Sequence, residues 1–263
     1  MAKTKQILML LFIAAAVMGL SRGIAEVALD KIDEASRVYK ANQEYQQTVY
    51  KAESNQNNWG IGVVPEDSDA VVVDENYDYE SYAGAESSAY ASDSIELLKD
   101  FLPESALSNY YKPITKGELA VFIDSVLMYK YGINIAEVSY TKFSDTDIAA
   151  CAKLHDANII NGIDGDTFGV TEILRRKESC QIFVRLLQSM CEYGGNSFSD
   201  VAPRIESNSK LSKEYADEPE IALCFGSGML LSNGRTIGLE YKLEVQQAVY
   251  AVHRALIVSG VQS

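Results

Sequence analysis

The sequence predicts an all-α protein built from helix-loop-helix repeats. Three observations lead there. First, one passage occurs twice. Ile163-Asp164-Gly165-Asp166-Thr167-Phe168 precedes a helical run ending Val184-Arg185-Leu186-Leu187, and Ser232-Asn233-Gly234-Arg235-Thr236-Ile237 precedes one ending His253-Arg254-Ala255-Leu256. The turn glycine and the late arginine are equally far apart in both copies. Second, apolar residues beyond position 94 recur at helical spacing. Third, no long alternating β pattern appears anywhere. Self-similarity of this size marks stacked units, because one unit cannot bury its apolar face alone.

The N-terminus reads as an export signal. Lys3 and Lys5 precede an apolar run at 7–20, and Gly23-Ile24-Ala25 offers small residues for cleavage. The run is shorter than the roughly 20 residues that cross a bilayer. Residues 1–25 are therefore expected to be a signal peptide, with no stable membrane span after cleavage. The first cysteine is Cys151, too far away for a lipoprotein anchor. Residues 26–50 have the composition of a helix with sparse apolar positions. Residues 54–93 are rich in Asn, Ser, Gly, Asp, Glu and Tyr and short of aliphatic side chains. Such a segment buries too little surface to offset chain entropy. Residues 26–93 thus read as a helical to disordered, acidic, Tyr-rich spacer, and residues 94–260 as the repeat domain.

The formal net charge is -14. It becomes more negative when a signal carrying Lys3, Lys5 and Arg22 is removed. Bulk attraction to nucleic acid or anionic lipid is excluded on that balance, although a few local cations can still hold an anionic ligand. The cysteines Cys151, Cys180, Cys191 and Cys224 include no C-x-x-C pair, so a zinc site is not expected. Export permits disulfides among them, and their apolar helical surroundings equally permit buried thiols.

In chain order, Ile95, Leu97 and Leu98 open a helix that stops near Pro103. Leu119, Phe122, Ile123, Val126 and Leu127 form the next apolar stripe. Ile182, Phe183, Leu186, Leu187 and Met190 form another, and Val245, Ala248, Val249, Val252 and Leu256 the last. Shorter helices are expected near 148–157 and 218–226, each running into a Gly- or Asn-containing turn. The two clear copies share one plan. It opens Phe143-Ser144-Asp145 and Phe198-Ser199-Asp200-Val201. A short helix follows, then Asn158-Ile159-Ile160 or Gly228-Met229-Leu230, then the Asp/Asn-Gly turn, then the long helix. The turn glycines Gly165 and Gly234 suit positive φ, and the preceding Asp or Asn can bond its own backbone. Asp145 and Asp200 are candidates to cap the short helices. A partial third copy begins Pro113-Ile114-Thr115-Lys116-Gly117-Glu118, where Thr115 and Glu118 have capping-box spacing. Repeats are placed at about 94–132, 141–192 and 196–258.

These motifs resemble the S-layer homology (SLH) family, whose repeats run FxDV, a short helix, GIIxGxxDGTFxP and ITRAEFAxLLxRAL. The middle copy supplies FSDT, NIINGIDGDTF and LRRKESCQIFVRLL; the last supplies FSDV, GMLLSNGRTI and LEVQQAVYAVHRAL. PITKGELAVFIDSVL matches the back half of the first. The resemblance covers about 94–256. It implies three repeats in a pseudo-threefold helical bundle and noncovalent anchoring to cell-wall polysaccharide, often a pyruvylated polymer. The family's groove arginine corresponds to Lys116, Arg176 and Val245 in the three copies. A cation at a helix N-terminus, among free backbone N–H groups, suits a sugar carboxylate. Lys116 keeps the charge without the bidentate fork, and Val245 cannot serve. The aromatic that usually follows FxDV is missing. The candidate polysaccharide-binding residues are Lys116, Arg175, Arg176, Asp145 and Asp200. Arg185 and Arg254 are explained by helix-dipole complementarity or an inter-repeat ion pair.

Asp164-Gly165-Asp166-Thr167-Phe168-Gly169 fails the EF-hand pattern, since loop positions 5 and 12 are Phe168 and Arg175. His155 and His253 lie near no nucleophile evident in the sequence, and Gly226-Ser227-Gly228 ends a helix instead of following a strand. No enzyme activity, cofactor or metal is expected. The sequence points to a secreted, non-catalytic protein of the cell wall and cell surface, partnered with polysaccharide and other envelope proteins. The alternative is a degenerate repeat domain that acts as a protein-binding scaffold in the envelope.

Overall fold

The computed structural model describes residues 78–137, 143–208, 215, 217–231 and 237–261. The expected signal peptide, the 26–50 helix, most of the spacer and the second turn at 232–236 lie outside them. Among the described residues the secondary structure is helical, with isolated β-bridges and no strand. The all-α expectation holds.

Each long helix begins with a side chain at its third position accepting the N–H of the residue before the helix. Helix α1 (Ser92–Leu98) and the single turn α2 (Glu104–Leu107) lead to α3 (Lys116–Ser125). At its start the Glu118 N–H donates to Thr115 Oγ1 (3.2 Å), and the Thr115 N–H donates to Glu118 Oε2 (3.0 Å). This is the expected capping box, and it satisfies two backbone donors that a helix leaves open. The helix widens into a π-type turn over Val126–Lys130. Short α4 (Ala149–Asp156) precedes α5 (Arg176–Tyr193), where the Arg175 N–H donates to Glu178 Oε2 (3.0 Å). Helices α6 (Phe198–Asn208) and α7 (Pro219–Gly226) precede α8 (Val245–Ser259). There the Glu244 N–H donates to Gln247 Oε1 (3.4 Å).

The predicted apolar stripes form one core. Leu119, Phe122 and Ile123 of α3, Phe183, Leu186 and Leu187 of α5, and Val249, Val252 and Leu256 of α8 are fully buried together. Each large side chain so buried is worth about 1.5–3 kcal/mol. Helix α8 packs on α5 and α1, α7 on α5 and α6, and α4 on α3. All four cysteines are buried free thiols.

Two sequence-level expectations about loops are corrected. Gly165 is not in the left-handed region. Asp164 makes that turn instead, its Oδ1 accepting the N–H groups of Asp166 (2.9 Å) and Thr167 (2.7 Å). Positive φ falls four residues later, at Gly169 (φ 83°), and again at the matching Gly238 (φ 55°). A Cβ on Gly169 would lie 2.7 Å from Ile163 Cδ1. The positions closing the short helices also match, since Asn158 (φ 56°) and Gly228 (φ 73°) are both left-handed. The second correction is at 198–201. Phe143-Ser144-Asp145 is a loop, whereas Phe198 to Val201 form the first turn of α6, with the Asp200 and Val201 N–H groups donating to the Ser197 carbonyl (3.0 and 3.1 Å).

The end of the predicted spacer touches the helical domain. Short 3-10 turns at Tyr79–Tyr82 and Ala89–Ala91 flank exposed residues. The Gly84 N–H donates to the Ser108 carbonyl (3.2 Å), and Asn109 Nδ2 donates to the Tyr79 carbonyl (2.7 Å).

Gly169→Ala is expected to cost about 1–3 kcal/mol, from left-handed strain and the Ile163 clash, whereas Gly165→Ala stays within about 0.5 kcal/mol. Urea unfolding of both variants checks the difference, and equal costs would contradict this placement of the strained turn.

Candidate functional site

The three loops before the long helices meet at one point. The Ile114 N–H donates to the Leu243 carbonyl (2.9 Å), Leu243 N–H to the Leu174 carbonyl (2.8 Å), and Leu174 N–H to the Ile114 carbonyl (3.2 Å). The ring is closed. All three side chains are buried around it, at 0%, 3% and 0% exposure for Ile114, Leu174 and Leu243. The first two N–H groups of each long helix then reach the loop of another copy. Lys116 and Gly117 donate to the Glu172 and Val170 carbonyls (2.8 and 3.0 Å). Arg176 and Lys177 donate to Tyr241 and Leu239 (both 2.9 Å), and Val245 and Gln246 to Lys112 and Tyr110 (3.0 and 2.9 Å). Three equivalent junctions result, each with one helix N-terminus facing one loop. The backbone N–H groups expected to meet a ligand are therefore already used.

At the first junction Lys116 is 8% exposed. Its Nζ lies 3.2 Å from Glu172 Oε2 and 5.5 Å from the centre of the Phe168 ring. The lysine side chain is 10% exposed and the glutamate 41%, so the pair sits at the surface with its carboxylate outward. Asp145 stands beside this loop. It caps no short helix, because Ile148 precedes α4 and supplies no side-chain bond. Its carboxylate accepts the N–H groups of Phe168 (2.9 Å), Gly169 (2.7 Å) and Val170 (3.1 Å) instead. Those bonds, Phe168's foremost, hold its carboxyl below the usual range.

At the second junction Arg176 is 2% exposed. Its Nε donates to the Ile237 carbonyl (3.1 Å) and its Nη2 to the Leu231 carbonyl, while the guanidinium lies 5.8 Å from the Phe225 ring centre. Burial lowers its pKa, yet an arginine stays charged in proteins. Arg175, beside it, is exposed and donates from Nη1 to the Glu240 carbonyl (2.7 Å). Asp200 is exposed in the first turn of α6, and among the described residues no hydrogen bond or ion pair joins it to Lys116 or Arg176. The expected site residues are thus divided: Lys116 and Asp145 hold one loop, Arg175 and Arg176 another, and Asp200 stands apart.

The third junction has Val245 where the cation would be and Glu244 before it. Glu244 is 4% exposed; its Oε2 accepts from Gln246 Nε2 (2.7 Å) and its Oε1 has no partner. Burial pushes its carboxyl up to about 7. The sequence reading passed over Glu244 and Glu172. Glu244 was detectable as the residue matching Thr115 and Arg175. Glu172 was not, because its counterparts are Lys112 and Tyr241.

The fold also joins Ser94 Oγ and His253 Nδ1 at 2.8 Å, a contact the sequence did not reveal. Ser94 is 3% exposed, and burial first, then Arg254 and Lys130, push His253 down to about 4. A weak base beside an inaccessible hydroxyl ties α1 to α8 and is unsuited to nucleophilic catalysis. Arg254 Nε donates to the Ser227 carbonyl (3.0 Å) at the end of α7, where a cation complements the helix dipole.

Fold and site together define an all-α domain whose long helices exchange backbone bonds around a central ring, with a cation at two of three junctions. No protein-family model matches the chain, and no curated protein matches it in sequence. Among the described residues no helix is long and apolar enough to cross a membrane.

Arg176→Met is expected to lower stability by about 3 kcal/mol or more, because it strips donors from two buried carbonyls; unchanged urea unfolding would contradict the structural role. Two groups contribute to the pH dependence of stability with opposite signs. Glu244 is raised in the fold, so its contribution is complete below about 4.5 and is lost as pH rises through about 7. His253 is lowered, so its contribution is present above 6.5 and is lost as pH falls through about 4. Glu244→Gln should therefore gain stability relative to the wild type as pH rises from 4.5 to 7. Unfolding midpoints across that range decide it, and parallel curves would refute the assignment.

Proposed function

We propose that the protein is a secreted, non-catalytic component of the cell envelope, anchored noncovalently to cell-wall polysaccharide through SLH-like repeats. The contact falls at the first junction. The Lys116–Glu172 pair carries this reading. Lys116 is fixed at a helix N-terminus, its charge is met by a partly exposed carboxylate, and the Phe168 ring lies 5.5 Å from it. A sugar carboxylate can replace Glu172 on Lys116, since the glutamate half of the pair is 41% exposed and its place on the buried lysine is open to solvent from that side. Arg175 adds an exposed cation at the neighbouring junction.

A second reading has support of its own. Arg176 is committed to two carbonyl groups, and Val245 carries no charge. Both favour a degenerate repeat domain that binds proteins as an envelope scaffold.

Co-sedimentation of the full chain with purified cell-wall sacculi tests the first reading. Lys116→Gln should weaken binding about tenfold, the loss of one charge-assisted contact of about 1.4 kcal/mol or more. Glu172→Gln should strengthen it. Wild-type chain left in the supernatant would rule the anchoring function out, and capture of envelope proteins that survives removal of the polysaccharide would favour the scaffold.

A further inference from the structure

The three junctions differ in what lies over them. At the first, the cation's outer neighbour is the carboxylate of Glu172. At the second, Arg176 is sealed from solvent, and part of the seal comes from outside the repeats. A small pocket is lined by Tyr90 of the stretch at 79–91, by Gln247 and Tyr250 of α8, and by Arg176, Met229, Leu230 and Leu231. The Tyr90 ring packs edge-on against Tyr250, with centroids 5.4 Å apart. The Ser88 N–H donates to Gln246 Oε1 (2.9 Å), one residue from Gln247 in the first turn of α8.

We infer that residues 79–91 form a releasable strap that closes the Arg176 junction, so that this cation becomes available to a carboxylate-bearing ligand only when the strap lifts. Its attachments lie mostly at the surface: backbone bonds at Tyr79, Gly84 and Ser88, a Ser88–Tyr111 hydroxyl contact (3.4 Å) and ring contacts of Tyr82 with Tyr111 and of Tyr90 with Tyr250. Tyr79–Tyr82 buries no residue, Ala89–Ala91 buries only Ala91, and the stretch between them is mostly exposed. Such segments open locally at a small fraction of the global unfolding free energy. The ring and the capping bonds contain no strap residue, and of the strap only Ala91 belongs to the buried core, so lifting residues 79–90 leaves them intact. Tyr90 and Arg176 line the same small concavity, so the departure of Tyr90 opens it toward Arg176. The chain before the strap is the acidic Tyr-rich stretch, through which pulling or binding could act on it. The ligand class rests on the anchoring function proposed above; the access gate itself does not.

Labelling with phenylglyoxal, an arginine-specific dicarbonyl, tests the gate on the full-length folded chain. Arg176 should be protected in the wild type. Tyr90→Ala should raise its labelling about tenfold or more, the factor set by removing about 1.4 kcal/mol or more of local closure. Ser88→Pro provides the second variant. Ser88 has φ -59°, which proline adopts, so the change removes the N–H to Gln246 without straining this residue. It should raise Arg176 labelling in the same direction, with half-buried Arg185 as the internal reference. Protection of Arg176 in both variants while circular dichroism stays native would overturn the strap, as would rapid labelling of Arg176 in the wild type. Failure of the chain to sediment with sacculi would remove the polysaccharide ligand and leave the labelling result standing, so the two failures are distinguishable.

Discussion

Ile114, Leu174 and Leu243 pass one backbone hydrogen bond each around a closed ring, and the rest of the domain hangs on it. The ring lies among buried side chains, so a missing member would leave a buried donor and acceptor unpaired, at about 1–3 kcal/mol for each. It fixes the entry angle of all three long helices. From it follow the six backbone bonds between helix N-termini and loops of other copies. Those bonds in turn set where Lys116, Arg176 and Val245 point. Helix packing fills the core, but the ring decides which loop each helix start meets.

The same constraint explains the fate of the cations. A helix N-terminus next to a cation is an attractive place for an anion, yet here the first two N–H groups of each long helix already bond to loop carbonyls. At Arg176 the guanidinium joins that internal network, with the Phe225 ring against it and Tyr90 lining the same pocket. At Lys116 the partner is an outward carboxylate with little to hold it. Position alone would make the two residues equivalent; their surroundings bond one to buried carbonyls and pair the other with a partly exposed carboxylate.

What could be read from the sequence depended on range. The Thr115–Glu118 capping box was legible because donor and acceptor are three residues apart. The apolar stripes of α3, α5 and α8 were legible because helical spacing reports burial directly. Gly165 was misread as the left-handed residue because Asp-Gly is a strong local turn signal; Asp164 in fact makes that turn, and Gly169 takes the positive φ where the chain passes close to Ile163. The role of Asp145 was hidden for a similar reason, since the three N–H groups it accepts lie more than twenty residues downstream. Tyr90 belonged to a segment whose composition predicted a free spacer, and only the contacts of Ser88 and Tyr90 with α8 show where its end rests.

By itself the sequence determined the all-α class, the long helices and the Thr115–Glu118 cap, because these follow from local periodicity and spacing, and the family resemblance matched the positions of Lys116, Arg176 and Val245. Only the tertiary structure decided that Arg176 is sealed, that Lys116 faces Glu172, and that Glu244 is buried with one oxygen unpartnered. Those outcomes depend on which loop meets which helix start, and on the desolvation that meeting brings, neither of which is encoded in any short stretch of the chain.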